Sequence, residues 1–280
     1  MTVDNIKKIL HPQERVACVT LDFESDYGGR ANQFSILDLK DEIDGLAGMF
    51  KRLNVPLTAF IQTDLLDNYA SSKEAIEKLA VDFHCHSHTH NFRDFNSREE
   101  IAKTAEAFKR HFGFQALGYR APQGMLYDGD IELCRENGFK LCSSVFPSFR
   151  PGRFNNLEAP TSPFYYENGI MELPFACVDK VRTVISLSYL KLMGLTFNKL
   201  LFRSFGLPNV LIFDSHLHDY IVHPDSFSKL PPAIRAAYSV NKRAGRHHAE
   251  SFIEFLRARN YRFLTITELY EHLANNYPLI

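Results

Sequence analysis

Apolar runs rich in β-branched and aromatic residues alternate along the chain with segments whose apolar residues recur at helical spacing. This alternation predicts strands separated by helices. The predicted strands are Val16–Asp22, Leu57–Gln62, Val81–His86, Ala116–Arg120, Lys140–Val145, Ile170–Phe175, Val210–His216 and Arg262–Ile266.

Residues that cap helix ends mark the segments between these runs. Ser97 is followed three residues later by Glu100, which is the pattern of a capping box ahead of a helix. Gly138 stands where a glycine commonly ends a helix. The predicted helices are Leu37–Leu53, Ser97–Phe112, Asp130–Asn137, His247–Arg259 and Glu268–Asn275.

Eight strands with intervening helices predict an α/β fold, namely a distorted (β/α) barrel of seven or eight strands that resembles a TIM barrel. The chain has 280 residues, which is long for one average domain and normal for a single barrel. The sequence contains no internal repeat and no low-complexity linker. We therefore expect one domain over residues 1–280.

Polar clusters follow four of the predicted strands. In barrels of this type, chemistry gathers at the C-terminal ends of the strands. If the four clusters converge there, they form one metal site flanked by acids, a base and an arginine. The clusters are Asp22–Asp26, His84–His90, Arg120–Gly124 and Asp214–Asp219.

The second cluster holds four of the 12 histidines of the chain, one at every second position of His84–His90. A strand would place these side chains on one face. Neutral imidazole is a preferred ligand of zinc and neighbouring metals, so the pattern favours metal binding. A solvated histidine-rich loop is the alternative.

Composition and charge exclude several other classes of function. The chain is 45% hydrophobic and 23% charged, as in ordinary globular proteins, and its formal net charge of -1 provides no positive field that would attract nucleic acid.

Five cysteines without a CxxC pair predict free buried thiols in a reducing compartment. The polar first 14 residues carry no signal-peptide core, and no apolar run is long enough to span a membrane. We therefore predict a cytoplasmic protein.

The apolar segment Val181–Phe205 is interspersed with basic residues. It favours an ordinary barrel helix whose basic residues lie on the solvated face. The alternative is a helix on the inner membrane surface, which would hold the protein there peripherally. The basic residues are Arg182, Lys191, Lys199 and Arg203.

Two segments rich in Phe, Tyr and Pro precede this region, Phe146–Phe154 and Pro160–Tyr166. Aromatic side chains in such loops stack on sugar faces. Ordinary packing of the loops is the alternative interpretation of the same residues.

The four clusters, in this order, resemble the motifs of the polysaccharide deacetylase superfamily (carbohydrate esterase family 4) from about Val16 onwards. The resemblance implies a distorted (β/α) barrel and one divalent metal ion that serves the hydrolysis of N-acetyl groups. It gives Asp22 the role of catalytic base and Glu24 that of metal ligand. The family has Asp at the position of Glu24, and Asp26 is an alternative ligand.

Further roles follow from the same resemblance. His86 and His90 match the two histidines of the second motif and would ligate the metal. Arg120 and Pro122 match an Arg-x-Pro motif, in which the arginine orients the base. The backbone amide after the proline, here that of Gln123, would bind the oxyanion.

The general acid of the last motif has two possible positions in this sequence. His218 with Asp219 resembles a Leu-His-Asp form. His216 with Asp219 resembles the form of a subgroup that also carries segments like Ser143–Ser144 and Glu172–Pro174, and this subgroup lacks the usual acid of the fourth motif. The subgroup resemblance favours His216.

The resemblance predicts a metal-dependent hydrolase that removes an N-acetyl group from an amino sugar or sugar conjugate, which is nucleotide-linked, lipid-linked or free. Zinc suits the predicted ligands, and cobalt, nickel or iron fit them as well. One alternative is an amidohydrolase acting on a formamide or a cyclic ureide. Another is a non-catalytic carbohydrate-binding member of the fold, motivated by Glu24 and the missing acid of the fourth motif. The oligomeric state is left open.

Overall fold

Strands from the whole length of the chain form one ten-stranded sheet and two small hairpins. The computed structural model describes residues 5–31, 33–69, 71–91, 96–127 and 129–279. Within them the strands are β1 (Ile6–Ile9), β2 (Val16–Phe23), β3 (Leu57–Ile61), β4 (Asp82–Cys85), β5 (Gly118–Tyr119), β6 (Leu141–Cys142), β7 (Phe149–Arg150), β8 (Phe154–Asn155), β9 (Phe164–Tyr166), β10 (Met171–Glu172), β11 (Cys177–Val178), β12 (Thr183–Val184), β13 (Val210–His216) and β14 (Arg262–Phe263).

Helices separate most of these strands. The α-helices of the described residues are α1 (Lys40–Leu53), α2 (Asp64–Asn68), α3 (Ser72–Leu79), α4 (Arg98–Phe112), α5 (Asp130–Glu136), α6 (Leu187–Met193), α7 (Leu195–Phe205), α8 (Leu217–Tyr220), α9 (Pro224–Ser228), α10 (Pro232–Ser239), α11 (Gly245–Arg257) and α12 (Ile266–Asn276).

All eight predicted strands are confirmed, as are the five predicted helices apart from shifts at their ends. The sequence did not predict β1, β9 or the strands of the two hairpins, β7–β8 and β11–β12. β1 and β9 pair with each other in antiparallel orientation. β1 is short and alternates between half-buried and exposed positions, so it lacks the apolar run of a buried strand. β9 lies in the aromatic segment Pro160–Tyr166, whose residues Phe164–Tyr166 are buried by ordinary packing.

The sheet is mixed. Its strand order is β1-β9-β10-β6-β5-β4-β3-β2-β13, and β14 pairs with β2. The segment after β10 reaches β13 through a 3.1 Å hydrogen bond from the amide of Ala176 to the carbonyl of Ile212, and Ser186 bridges to Asp214. The described pairing thus establishes an α/β fold, whereas a continuously paired barrel and a single domain stay predictions.

The two faces of β2 have different surroundings. Ala17, Val19, Leu21 and Phe23 pack in the larger core cluster with the surrounding helices. On the other face Val16 and Cys18 pack in a smaller core cluster, to which α12 contributes Ile266, Leu269 and Leu273. That inner face continues through Thr20 to Asp22 and thus changes from apolar to polar towards its C-terminal end.

The segment 181–205 is not one helix. It forms β12, α6 and α7, and Gly194 with φ +80° separates the two helices. Lys191 is 4% exposed, so its predicted position on a solvated or lipid-facing surface is wrong. The exposed large apolar side chains of this segment are Val181, Tyr189, Leu192, Phe197, Leu200 and Phe205.

No helix among the described residues combines the length and the apolar character that crossing a bilayer requires. Contact of the α6–α7 region with a membrane surface stays a prediction. All five cysteines are free and buried, as predicted.

Candidate active site

The predicted clusters converge at the C-terminal ends of β2, β4, β5 and β13. The parallel register pairs His216 of β13 with Asp22 of β2, and it pairs Tyr119 of β5 with Cys85 of β4. The residues that follow these strands therefore meet above one inner face. A cavity of about 330 Å³ opens there.

Apart from Arg120, Pro122 and the alternative ligand Asp26, the candidate residues line this cavity. The lining candidates are Asp22, Glu24, His86, His90, Gln123, His216 and His218. Arg120 and Pro122 are both buried and do not line the cavity.

Glu24, His86 and His90 form a compact group of possible metal ligands. Glu24 Oε2 lies 2.8 Å from His90 Nε2 and 3.4 Å from His86 Nε2. One ligand atom from each residue lies within 4.8 Å of the other two. His86 Nδ1 donates to the carbonyl of Arg120 at 2.9 Å, which leaves its Nε2 for the group. Two imidazole nitrogens and one carboxylate oxygen are a donor set that fits zinc, cobalt, nickel or iron.

The surroundings of Glu24 favour the ionised carboxylate, which is the form that binds a metal ion. Burial alone would raise its pKa, but the imidazoles of His90 and His216 and the hydrogen bond from His86 hold the pKa well below its usual value. Asp26 does not belong to this group. Its carboxylate accepts hydrogen bonds from Ser226 Oγ at 2.5 Å and from the amide of Ile36 at 3.3 Å.

The four alternating histidines do not share one face, so that prediction is wrong. β4 ends at Cys85, and Ser87 and His90 have left-handed φ values of +66° and +54°. His84 lies apart from the group, 3.2 Å from Asp82 Oδ2, and its Nδ1 accepts the amide of Gly118. His88 Nδ1 hydrogen-bonds to Thr63 Oγ1 at 3.0 Å.

Glu100 holds the loop that carries the two candidate ligand histidines, His86 and His90. Its Oε1 accepts four hydrogen bonds, from Ser87 Oγ, from the amide of His88 and from the amide and hydroxyl of Thr89, at 2.6–3.0 Å. The predicted capping box is therefore half confirmed. Ser97 Oγ accepts the amide of Glu100, but the Glu100 side chain turns to the loop instead of the N-cap.

A buried guanidinium joins two carboxylates below the cavity. Arg120 Nη1 lies 2.6 Å from Asp22 Oδ1 and 3.0 Å from Asp214 Oδ1. Its guanidinium lies over the rings of Phe60, at 3.8 Å, and Phe175, at 4.6 Å. Asp22 Oδ1 is thus paired with Arg120, and Asp22 Oδ2 lies 3.7 Å from His86 Nε2, on the side of the candidate metal ligands.

The sequence analysis placed Asp214 in a strand-end cluster but gave it no role, whereas the structure brings it into the site. Burial and then the negative charge of Asp22 raise its pKa to about 7. The sequence did contain a signal for Asp214. It precedes His216 by two residues on a predicted strand, so the two side chains lie on the same face.

Residues of the Ser143–Ser144 and Glu172–Pro174 segments surround Arg120 and hold its neighbours in place. Ser143 accepts from the guanidinium through both its carbonyl and its hydroxyl, at 3.0 and 3.1 Å, and Ser144 Oγ accepts the amide of Ala121 at 2.8 Å. Glu172 Oε1 accepts the amides of Ser144 and Val145. Burial raises the pKa of Glu172 to about 7.

His216 and His218 differ sharply in their surroundings. His216 Nε2 lies 3.6 Å from Glu24 Oε1 and 3.8 Å from Asp22 Oδ2. Burial opposes its protonation, but the charges of Asp214 and Glu24 outweigh burial and raise the pKa of His216 well above its usual value. His218 is stacked between His216 and Tyr27, and burial lowers its pKa to about 3.

Asp219 fixes His216 from the side away from Glu24. Its Oδ2 accepts the amide of His216 at 3.1 Å and lies 3.4 Å from His216 Nδ1. Ser188 Oγ donates to both oxygens, and Lys191 Nζ lies 3.4 Å from Oδ1 and 3.1 Å from the Asp219 carbonyl. Lys191 therefore belongs to the wall of the site.

Gln123 lies in a short 3₁₀ turn, Pro122–Gly124, with φ +55°. Within the described residues, no backbone carbonyl accepts its amide, and its buried side-chain nitrogen and oxygen have no hydrogen-bond partner. These atoms border the cavity. Phe146 and Phe154 line the same cavity, so this aromatic segment, unlike Pro160–Tyr166, faces the site.

Comparison with known proteins adds the following. Residues 15–142 match the family model described as polysaccharide deacetylase, and no curated protein matches the chain. A provisionally named polysaccharide deacetylase from Mycobacterium smegmatis superposes with a TM-score of 0.59 at 16% identity, over 96% of this chain and 94% of that one. An allantoinase superposes with a TM-score of 0.57 at 15% identity, over 96% of this chain and 94% of that one. A carbohydrate esterase family 4 pseudoenzyme from Bacillus anthracis superposes with a TM-score of 0.53 at 12% identity, over 92% of this chain and 66% of that one.

Glu100→Ala tests the anchor of the histidine loop. We expect the free energy of unfolding to fall by about 2–4 kcal/mol, because buried amides lose a charged acceptor. We also expect metal affinity to fall by roughly 10-fold or more. Chemical denaturation and metal titration measure the two effects. Glu99→Ala is the control, because Glu99 is exposed and pairs with Lys103 in the same helix; equal losses in both variants would contradict the role of Glu100.

His86→Ala and His88→Ala separate the ligand histidines from the others. We expect His86→Ala to lose stoichiometric metal and His88→Ala to retain it, because only His86 faces Glu24. Elemental analysis of protein made without an affinity-tag metal gives the stoichiometry. Full occupancy in His86→Ala would move the metal elsewhere.

Proposed function

Because residues 15–142 match the polysaccharide deacetylase family model, we propose that the chain is a metal-dependent hydrolase of this superfamily, which removes an N-acetyl group from an amino sugar or sugar conjugate. The observation that carries the proposal is the group of Glu24, His86 and His90 beside the Asp22 carboxylate, at the floor of a cavity. A structural role alone would not require two imidazoles and a carboxylate to converge next to a second carboxylate that a buried arginine holds.

Amide hydrolysis needs a stronger nucleophile than water and a more electrophilic carbonyl. A divalent ion held by Glu24, His86 and His90 would supply both, as a Lewis acid and by lowering the pKa of water. Asp22 accepts the proton of the attacking water at Oδ2, since Arg120 engages Oδ1. Arg120 thus fixes the direction from which the base acts.

Protonation of the departing amine depends on residues on the other side of the cavity, at the end of β13. His216 donates a proton to the departing amine, and Asp219 holds its ring in place for that transfer. The amide of Gln123 donates to the developing oxyanion from the 3₁₀ turn. His218 is excluded from the acid role in this proposal because it is buried behind His216 with a pKa of about 3.

A panel of N-acylated substrates tests the function directly. Purified protein reconstituted with zinc, cobalt, nickel or iron is incubated with free, nucleotide-linked and lipid-linked N-acetylamino sugars, and acetate is measured. Metal-dependent acetate release is the expected result. Formate release, or opening of a cyclic ureide, would select the other hydrolase chemistry, and inactivity on the whole panel would point to a binding protein.

Asp22→Asn tests the base. We expect turnover to fall by roughly 10²-fold or more, because general-base catalysis contributes on that scale. Metal content and folding should be retained, since asparagine keeps the shape of the side chain. Steady-state kinetics with a parallel metal assay measure this, and near-normal turnover would remove Asp22 from the role.

The acid is tested by the pH dependence of kcat in His216→Gln and His218→Gln. His216 has a raised pKa, so its proton is available below that pKa and is lost as pH rises through it. We expect His216→Gln to lower kcat and abolish the alkaline limb of the profile. His218 is neutral at every working pH, so His218→Gln should keep that limb. The reverse pattern would assign the acid to His218.

A further inference from the structure

Two arginines stand at the mouth of the cavity without acidic partners. Arg30 lies in the turn after β2 and Arg150 in the β7–β8 hairpin, and both line the cavity. Arg30 Nη1 donates to the carbonyl of Tyr27 at 3.0 Å, which orients its guanidinium. Among the ion pairs of the described residues, none involves either arginine.

Arg30 faces the same space as the metal ligands. Gly28 lies between them with φ +66°, and a Cβ there would lie 3.1 Å from Arg30 Nη1 and 3.3 Å from Glu24 Oε1. The absence of a side chain at Gly28 therefore keeps a short open path from the Arg30 guanidinium to the Glu24 carboxylate. A substrate reaching from one to the other need be no longer than a sugar with one substituent.

The charges of the lining divide along the cavity. The carboxylates of Asp22, Glu24 and Asp214 are buried, whereas Arg30 is half-buried and Arg150 is exposed, so the two arginines lie on the solvent side of the lining. Like charges held together at a cavity wall are stabilised by a bound anion.

We propose that Arg30 and Arg150 bind a phosphate group of the substrate, so that the protein acts on a phosphorylated amino sugar. The proposal rests on the hydrolase function above, with the N-acyl group at the inner end and the phosphate at the mouth. Two guanidinium groups match the charge of about −2 and the several acceptor oxygens of a phosphate better than they match a carboxylate. Sugar phosphates, sugar nucleotides and polyisoprenyl phosphate sugars share this chemistry.

Binding of glucose 1-phosphate tests the mouth independently of hydrolysis, because this probe has no acyl group. Isothermal titration is done on protein stripped of metal, so that the phosphate cannot report on coordination to an ion. We expect glucose 1-phosphate to bind at least about 10-fold more tightly than glucose, and Arg150→Gln and Arg30→Gln each to remove about 10-fold of that affinity. Arg150→Lys should recover only part of it.

Arg153→Gln is the matched control, because Arg153 follows in the same hairpin but does not line the cavity and contacts the Met125 sulfur. It should change the affinity by less than about threefold. Equal binding of glucose and glucose 1-phosphate, or equal effects of Arg150→Gln and Arg153→Gln, would overturn the proposal even if the protein hydrolyses N-acetyl groups. Tighter binding of UDP-glucose identifies a nucleotide as the source of the phosphate, and tighter binding of farnesyl phosphate identifies a lipid.

Discussion

The buried guanidinium of Arg120 is the constraint on which the site depends. A charge inside a protein costs several kcal/mol unless it is paired and fully hydrogen-bonded. Asp22 on β2 and Asp214 on β13 supply the opposite charges, and Ser143, just after β6, supplies two acceptors. Because these partners come from different strands, satisfying one arginine fixes the relative positions of the strand ends that build the cavity.

The geometry of the reactive groups follows from that pairing. Arg120 occupies one oxygen of Asp22 and leaves the other towards His86 and His216. Its carbonyl also accepts His86 Nδ1, which leaves the Nε2 of that imidazole facing Glu24. The same residue thus positions the proposed base through its side chain and a proposed metal ligand through its backbone. Glu100 performs the corresponding task for the loop beyond His86.

Much of the fold was readable from the sequence, because buried strands leave apolar runs and helix ends leave capping residues. The convergence of the four clusters was also predictable, since parallel strands bring their C-terminal ends together. The sequence did not predict that the four histidines lie on different faces, because this follows from left-handed backbone at Ser87 and His90, which interrupts the extended chain. Lys191 and Glu100 resembled ordinary surface and capping residues, and only tertiary packing turns them towards Asp219 and the histidine loop.

The claim that the convergent residues form a metal centre is tested most directly by anomalous diffraction from crystals of the metal-loaded protein, recorded at the absorption edge of the loaded metal. The account predicts one strong peak about 2.0–2.2 Å from an Nε2 atom of both His86 and His90 and from a carboxylate oxygen of Glu24. It also predicts that Asp22 lies beside that peak without being its main ligand. A fully loaded protein whose peak lies elsewhere, or is held by Asp26 or His84 instead, would contradict it.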